Sequence, residues 1–207
     1  MGIITLSKEA VCNLSASRLG DYGGVTDIDS PEEPIEIACS KWWDLIRQYN
    51  IKELKPNFAL ERASVAADST APAFGYSYRY RKPADCLAVL GFGEVQEKEN
   101  VYVIEGDYIL TDEYEGEALE LRYIKDVEEV TSWTPEFVVV HSTILAYFIN
   151  MEVTQDVVKQ NSLEQMLPIK KAEAASLSGM ENRPIRITNS KFKKARTDSA
   201  PKNYEKK

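Results

Sequence analysis

The sequence predicts an α+β protein: a mainly helical bundle with a small antiparallel β-sheet inserted in the middle and an extended C-terminal arm. Three observations carry that prediction. Between Tyr76 and Tyr123 apolar residues alternate with polar ones, or form short β-branched and aromatic runs broken by glycine, which is the pattern of strands. On either side, apolar residues recur at helical spacing behind capping residues. From Glu181 onward no period is sustained. The chain thus divides into N-terminal helices (1–72), the inserted sheet (73–125), returning helices (126–180) and the arm (181–207).

In chain order, Ser7 is the expected N-cap of a helix from Lys8 to about Leu19, with Ala10, Val11, Leu14 and Arg18 at helical spacing and Gly20 as its stop. Ser30-Pro31-Glu32-Glu33 combines an N-cap, a first-turn proline and a capping-box glutamate. The helix it opens carries an apolar stripe of Ile35, Ala38, Trp42, Leu45, Ile46 and Tyr49, with Trp43 beside it. Pro56 starts a third, shorter helix reaching about Ala67.

In the sheet region, Tyr76, Tyr78 and Tyr80 share one strand face. Leu87 to Leu90 is a second strand, stopped by Gly91 and Gly93. Val101–Ile104 and Tyr108–Thr111 flank Glu105-Gly106-Asp107 as a hairpin. Leu119, Leu121 and Tyr123 close the set, and Asp126 to Thr131 is an acidic linker. Thr134-Pro135-Glu136 then opens a long helix with Phe137, Val140, Ile144, Leu145 and Phe148 on one face. Thr154 or Ser162 caps a last helix, which Pro168 kinks or divides and Ser178-Gly179 ends.

A chain of 207 residues, 43% hydrophobic and 28% charged, can bury one core and is not disordered by composition. No run of apolar residues approaches the ~20 needed to span a bilayer. The first residues lack the basic and apolar regions of a signal peptide. The expectation is a soluble protein that is not exported by itself. Cys12, Cys39 and Cys86 are odd in number and widely spaced, which fits reduced core thiols rather than a disulfide framework. The net charge of −8 is unevenly spread. From Glu181 to Lys207 nine Lys/Arg face three acids, a net +6 that leaves −14 for the rest. Such a basic tail suits an acidic partner.

Little in the sequence points to catalysis. His141 is the single histidine and lies within the long apolar helix, and no nucleophile elbow accompanies it. Gly91-Phe92-Gly93 lacks the third glycine of a dinucleotide fingerprint, and no phosphate-binding loop occurs. Asp112-Glu113-Tyr114-Glu115 and Glu128-Glu129 lack calcium-loop spacing and read as solvated turns. No metal, cofactor or catalytic residue is expected. The tyrosine strand with Arg79 and Arg81 has the composition of a base-stacking platform. A single-stranded nucleic-acid-binding module using that strand and the basic tail is therefore the alternative reading.

The order of the motifs carries more. Glu9-Ala10-Val11 is followed by Cys39-Ser40-Lys41-Trp42-Trp43-Asp44-Leu45-Ile46-Arg47, then Pro56-Asn57-Phe58-Ala59 with Arg62-Ala63. Next come Tyr76-Ser77-Tyr78-Arg79-Tyr80 and Pro83-Ala84-Asp85-Cys86-Leu87. Tyr102 to Asp112, Leu121-Arg122-Tyr123-Ile124 and Trp133-Thr134-Pro135-Glu136-Phe137 complete the series. From about Lys8 to Leu177 this series resembles the tail tubular protein A family, the head-to-tail adaptors (connectors) of short-tailed bacteriophages. Pro56 stands where that family usually has a tryptophan, and the loop from Gly20 to Pro34 departs from the family pattern.

The resemblance implies a non-enzymatic virion protein at the head–tail junction, assembled in the host cytoplasm without a membrane. Members form a ring, typically of twelve copies, between the portal protein and the tail nozzle protein. Double-stranded DNA passes through the lumen without specific binding. An acidic body suits such a channel because it repels phosphates. The resemblance also gives the basic arm a partner in the portal. Ile185, Ile187 and Phe192 are its expected apolar anchors, and Lys191, Lys193, Lys194 and Arg196 its contacts with acidic portal surface.

Overall fold

The computed structural model describes residues 6–20, 24–93 and 101–181. Its helices are α1 (Lys8–Arg18), α2 (Pro34–Leu54), α3 (Pro135–Val153) and α4 (Val157–Glu181). Between α2 and α3 come strands β1 (Leu60–Val65), β2 (Arg79–Arg81), β3 (Cys86–Phe92), β4 (Val103–Glu105), β5 (Tyr108–Leu110) and β6 (Leu119–Lys125). The fold is α+β, with four helices and two small antiparallel sheets.

Helix α1 starts where its cap places it, with the Ala10 N–H donating to Ser7 Oγ at 3.2 Å. Its buried face is Val11, Cys12, Ser15 and Ala16, and Leu14 is exposed, so the face is rotated from the expected stripe. Ser15 is accommodated because its hydroxyl donates to Val11 O at 3.1 Å.

Helix α2 begins at Pro34, not Pro31. The Glu36 carboxylate turns back over the entry loop. Oε1 accepts from the Thr26 N–H at 2.8 Å, and Oε2 accepts from Glu32 and Glu33 N–H at 3.0 and 3.2 Å. Those bonds hold residues 31–33 outside the helix. Farther along, Trp43 is in the core while Leu45 and Tyr49 are 61% and 52% exposed. The sequence offers apolar residues on two faces, and packing against α3 selects the Trp43 face.

Helix α3 is the central element, packed by α1, α2 and α4. Its length and composition would let it cross a membrane, yet 61% of its apolar window is buried inside this bundle. Burial is what holds its Val138-Val139-Val140 run helical. Phe148, expected on the core face, is exposed and packs its ring on Trp42 at 5.0 Å. Helix α4 is capped by Asp156, which accepts from the Val158 and Lys159 N–H groups, rather than by Thr154 or Ser162. It runs through Pro168 and past Ser178-Gly179 to Glu181 without a break. Pro168 and Glu164 are both exposed, so the carbonyl left unbonded by the proline faces water.

The expected third helix is absent. Pro56 leads into one 3₁₀ turn (Asn57–Ala59), and Leu60–Val65 is strand β1. It pairs residue for residue with β6, from Leu60↔Ile124 to Val65↔Leu119, and this pairing overrides the helix propensity of Leu-Glu-Arg-Ala. The sheet region therefore begins at Leu60 and holds two sheets, ordered β1-β6-β3 and β2-β5-β4. An Ala67↔Tyr80 bridge links them. The β4–β5 hairpin turns at Gly106-Asp107 as expected, with Gly106 at φ +56°. Only Arg79–Arg81 of the tyrosine segment is strand, and β3 continues through Gly91 by way of bulges.

There are two cores. One lies among the helices and takes in Ile124; the other, under the sheets, holds Tyr80, Phe92, Ile109, Leu119, Leu121 and Tyr123. Strands β3 and β6 both touch the two cores, β3 through Leu87 and Leu90 on the helical side and Phe92 on the other, so together they join bundle and sheets.

Candidate interaction surface

His141 is the obvious place to look for chemistry, and it is fully buried. Its ring packs against Trp43 (5.1 Å), Trp133 (4.9 Å) and Phe137 (6.0 Å). Asn50 Nδ2 lies 3.2 Å from Nδ1; with that amide donating, the ring proton sits on Nε2. Burial, with the nearby Arg47 charge, pushes its pKa down to about 3, so the ring is neutral near pH 7. No hydroxyl, thiol or carboxylate is among these partners. The arrangement packs a core and does not poise a base.

The other acid, thiol and glycine candidates are equally plain. Asp112 accepts from the Ser77 N–H at 2.7 Å, tying a turn, and Glu128 lies 3.7 Å from Arg47. Among the described residues no group of His, Cys, Asp and Glu could hold a metal ion. Gly91-Phe92-Gly93 is the end of β3 and opens no helix. Cys12 and Cys39 are buried where α1 meets α2, and a hydrogen bond to Cys39 together with burial pushes the Cys12 thiol far up. Such a thiol stays protonated and inert.

The tyrosine strand is mostly occupied by the protein itself. Tyr80 is fully buried. Arg79 lies 4.4 Å over the Tyr108 ring and 3.3 Å from Asp68, so its guanidinium is engaged. Tyr76 and Tyr78 are half-buried. The expected portal-binding residues, Ile185, Ile187, Lys191, Phe192, Lys193, Lys194 and Arg196, lie outside the described residues.

Sequence reasoning missed the joint between the two cores. Arg47, 4% exposed, forks onto Asp126, with Nε 2.9 Å from Oδ1 and Nη2 3.0 Å from Oδ2. Gln48 Nε2 adds a bond to Asp126 Oδ2 at 2.9 Å. Burial works to lower the Arg47 pKa, and Asp126, Asp44 and Glu128 outweigh it, so the net shift is up. The sequence carried no signal for it, because Arg47 lies opposite the expected stripe of Ile35, Trp42 and Ile46 and turns inward only when the Trp43 face is buried.

What remains for a partner is exposed apolar surface. Phe74 projects from the loop before β2 at 87% exposure, and Ile37, Leu45 and Tyr49 line the outside of α2. Asn57 Nδ2 donates to Ser178 O at 2.8 Å, fixing the end of α4 against the bundle. Comparison with protein-family models and with curated proteins finds no match for this chain.

Proposed function

We propose that the chain is a head-to-tail adaptor of a short-tailed bacteriophage. In this reading it is a structural ring protein, of about twelve copies by resemblance, between portal and tail nozzle, with DNA threading the lumen. The observation that carries the reading is the ordered series of motifs from Glu9 to Phe137. Support comes from an α+β architecture in which a sheet module is attached to a helical bundle through β3 and β6, giving separate surfaces for separate partners. Charge agrees: the body carries −14, which disfavours phosphate binding along a channel, and the tail carries +6 for an acidic portal surface.

The test is portal capture. Immobilised portal of the same phage retains the full chain, and a chain ending after Glu181 stays folded by circular dichroism but is not retained. Equal retention of both would overturn the role given to the arm. The nucleic-acid alternative has less geometric support, because Tyr80 and Arg79 are already engaged. Tight, steeply salt-dependent binding of short oligonucleotides would favour it.

A further inference from the structure

Strand β1 is an open edge. It pairs only with β6, in unbroken register, and among the described residues no strand lies on its other side. The Arg62 N–H points away from β6 and finds its acceptor in a neighbouring side chain, Glu61 Oε1, at 3.3 Å. Open edges are templates for another strand.

One face of that edge is unusual in an acidic body. Arg62 and Arg122 stand directly opposite each other in the ladder, where like charges repel. Neither forms an ion pair among the described residues, and Arg122 Nε is buried without a hydrogen-bond partner. Both line a groove with Ser64, Gly93 and Glu120. Leu60, two residues before Arg62 and so on the same face, is 45% exposed. The edge therefore fits a strand with a carboxylate at one position and an apolar residue two positions earlier.

Strand β4 has that pattern. It is the outer strand of the second sheet and pairs only with β5 among the described residues. Val103 and Glu105 share a face, and all three of its residues are exposed. We propose that β4 of one copy adds to β1 of a second copy as a parallel strand, with Glu105 against Arg62 and Arg122 and Val103 beside Leu60. The two edges belong to different sheets, so the contact is heterologous. Each copy offers β4 to one neighbour and β1 to the other, and repetition gives a ring or an open chain rather than a two-fold pair. The adaptor reading names no surface for its ring; this contact supplies one and does not depend on the portal.

The test is sedimentation velocity of the full chain at low salt, up to millimolar concentration. The wild type self-associates beyond a dimer. Arg62→Glu and Glu105→Arg each weaken association about tenfold or more, and the double reversal recovers to within about threefold. Arg62→Pro removes the outward N–H that lies opposite β4 and that β6 does not use, so it melts close to wild type and no longer associates. A wild type that stays monomeric throughout, or stops at a dimer, overturns the proposal. So do reversals without effect, or a double reversal that recovers nothing. Retention by the portal in any of these cases leaves the adaptor reading standing.

Discussion

Arg47 and Asp126 are joined by two parallel hydrogen bonds of 2.9 and 3.0 Å, and this fork ties α2 to the segment leaving β6. The guanidinium is almost wholly out of water, so its charge depends on the carboxylate that faces it. Asp126→Asn removes the one buried partner and leaves the exposed Asp44 and Glu128 to face the guanidinium. The expected cost is about 2–3 kcal/mol of unfolding free energy, less than for a buried charge left alone, read by urea titration. Replacing both partners together by apolar residues of similar volume costs much less, because no charge is then buried alone.

Gly116 makes a second, local prediction. It sits at φ +88°, and a Cβ there would meet Tyr78 Cε1 at 2.7 Å. Gly116→Ala both strains the backbone and pushes the Tyr78 ring away. A loss of about 1–3 kcal/mol follows, measured by thermal unfolding.

Acid should destabilise this protein first through a buried histidine and then also through hydrogen-bonded carboxylates. The folded chain holds His141 at about 3, far below its ordinary 6.5, because burial excludes the imidazolium. The unfolded chain binds that proton first, so stability is lost as pH falls from about 6.5 toward 3, by at most about 1.4 kcal/mol per pH unit. Glu36 is held down to about 2 by the backbone N–H groups of Thr26, Glu32 and Glu33. Its contribution is present above its ordinary 4.5 and lost as pH falls toward 2. Denaturant titrations between pH 7 and pH 5 isolate His141. The slope there should vanish in His141→Gln, and a persisting slope would assign it to another group.

Local signals were legible in the sequence where nothing distant competes with them. Ser7 caps α1, Thr134-Pro135 opens α3, and Gly106-Asp107 turns the hairpin because each acts within a few residues. The misses have a common cause in contacts far along the chain. Pro31 reads as well as Pro34 until Glu36 is seen to hold the loop from Thr26 to Glu33. Leu45 and Tyr49 read as well as Trp43 until Trp133 stacks on Trp43 at 5.8 Å. Leu60–Val65 has helical composition, and only its partner strand β6 makes it extended. At the surface, the opposition of Arg62 and Arg122 is invisible without the register, since nothing in either segment points to the other.

Mass by light scattering tests the proposal that this chain is an adaptor assembling against a portal. The chain is measured alone at low micromolar concentration, then mixed with the portal of its own phage. The expected product is a complex of fixed stoichiometry carrying many copies of the chain per portal, much heavier than the free protein. A mixture whose two components scatter as independent species would contradict it.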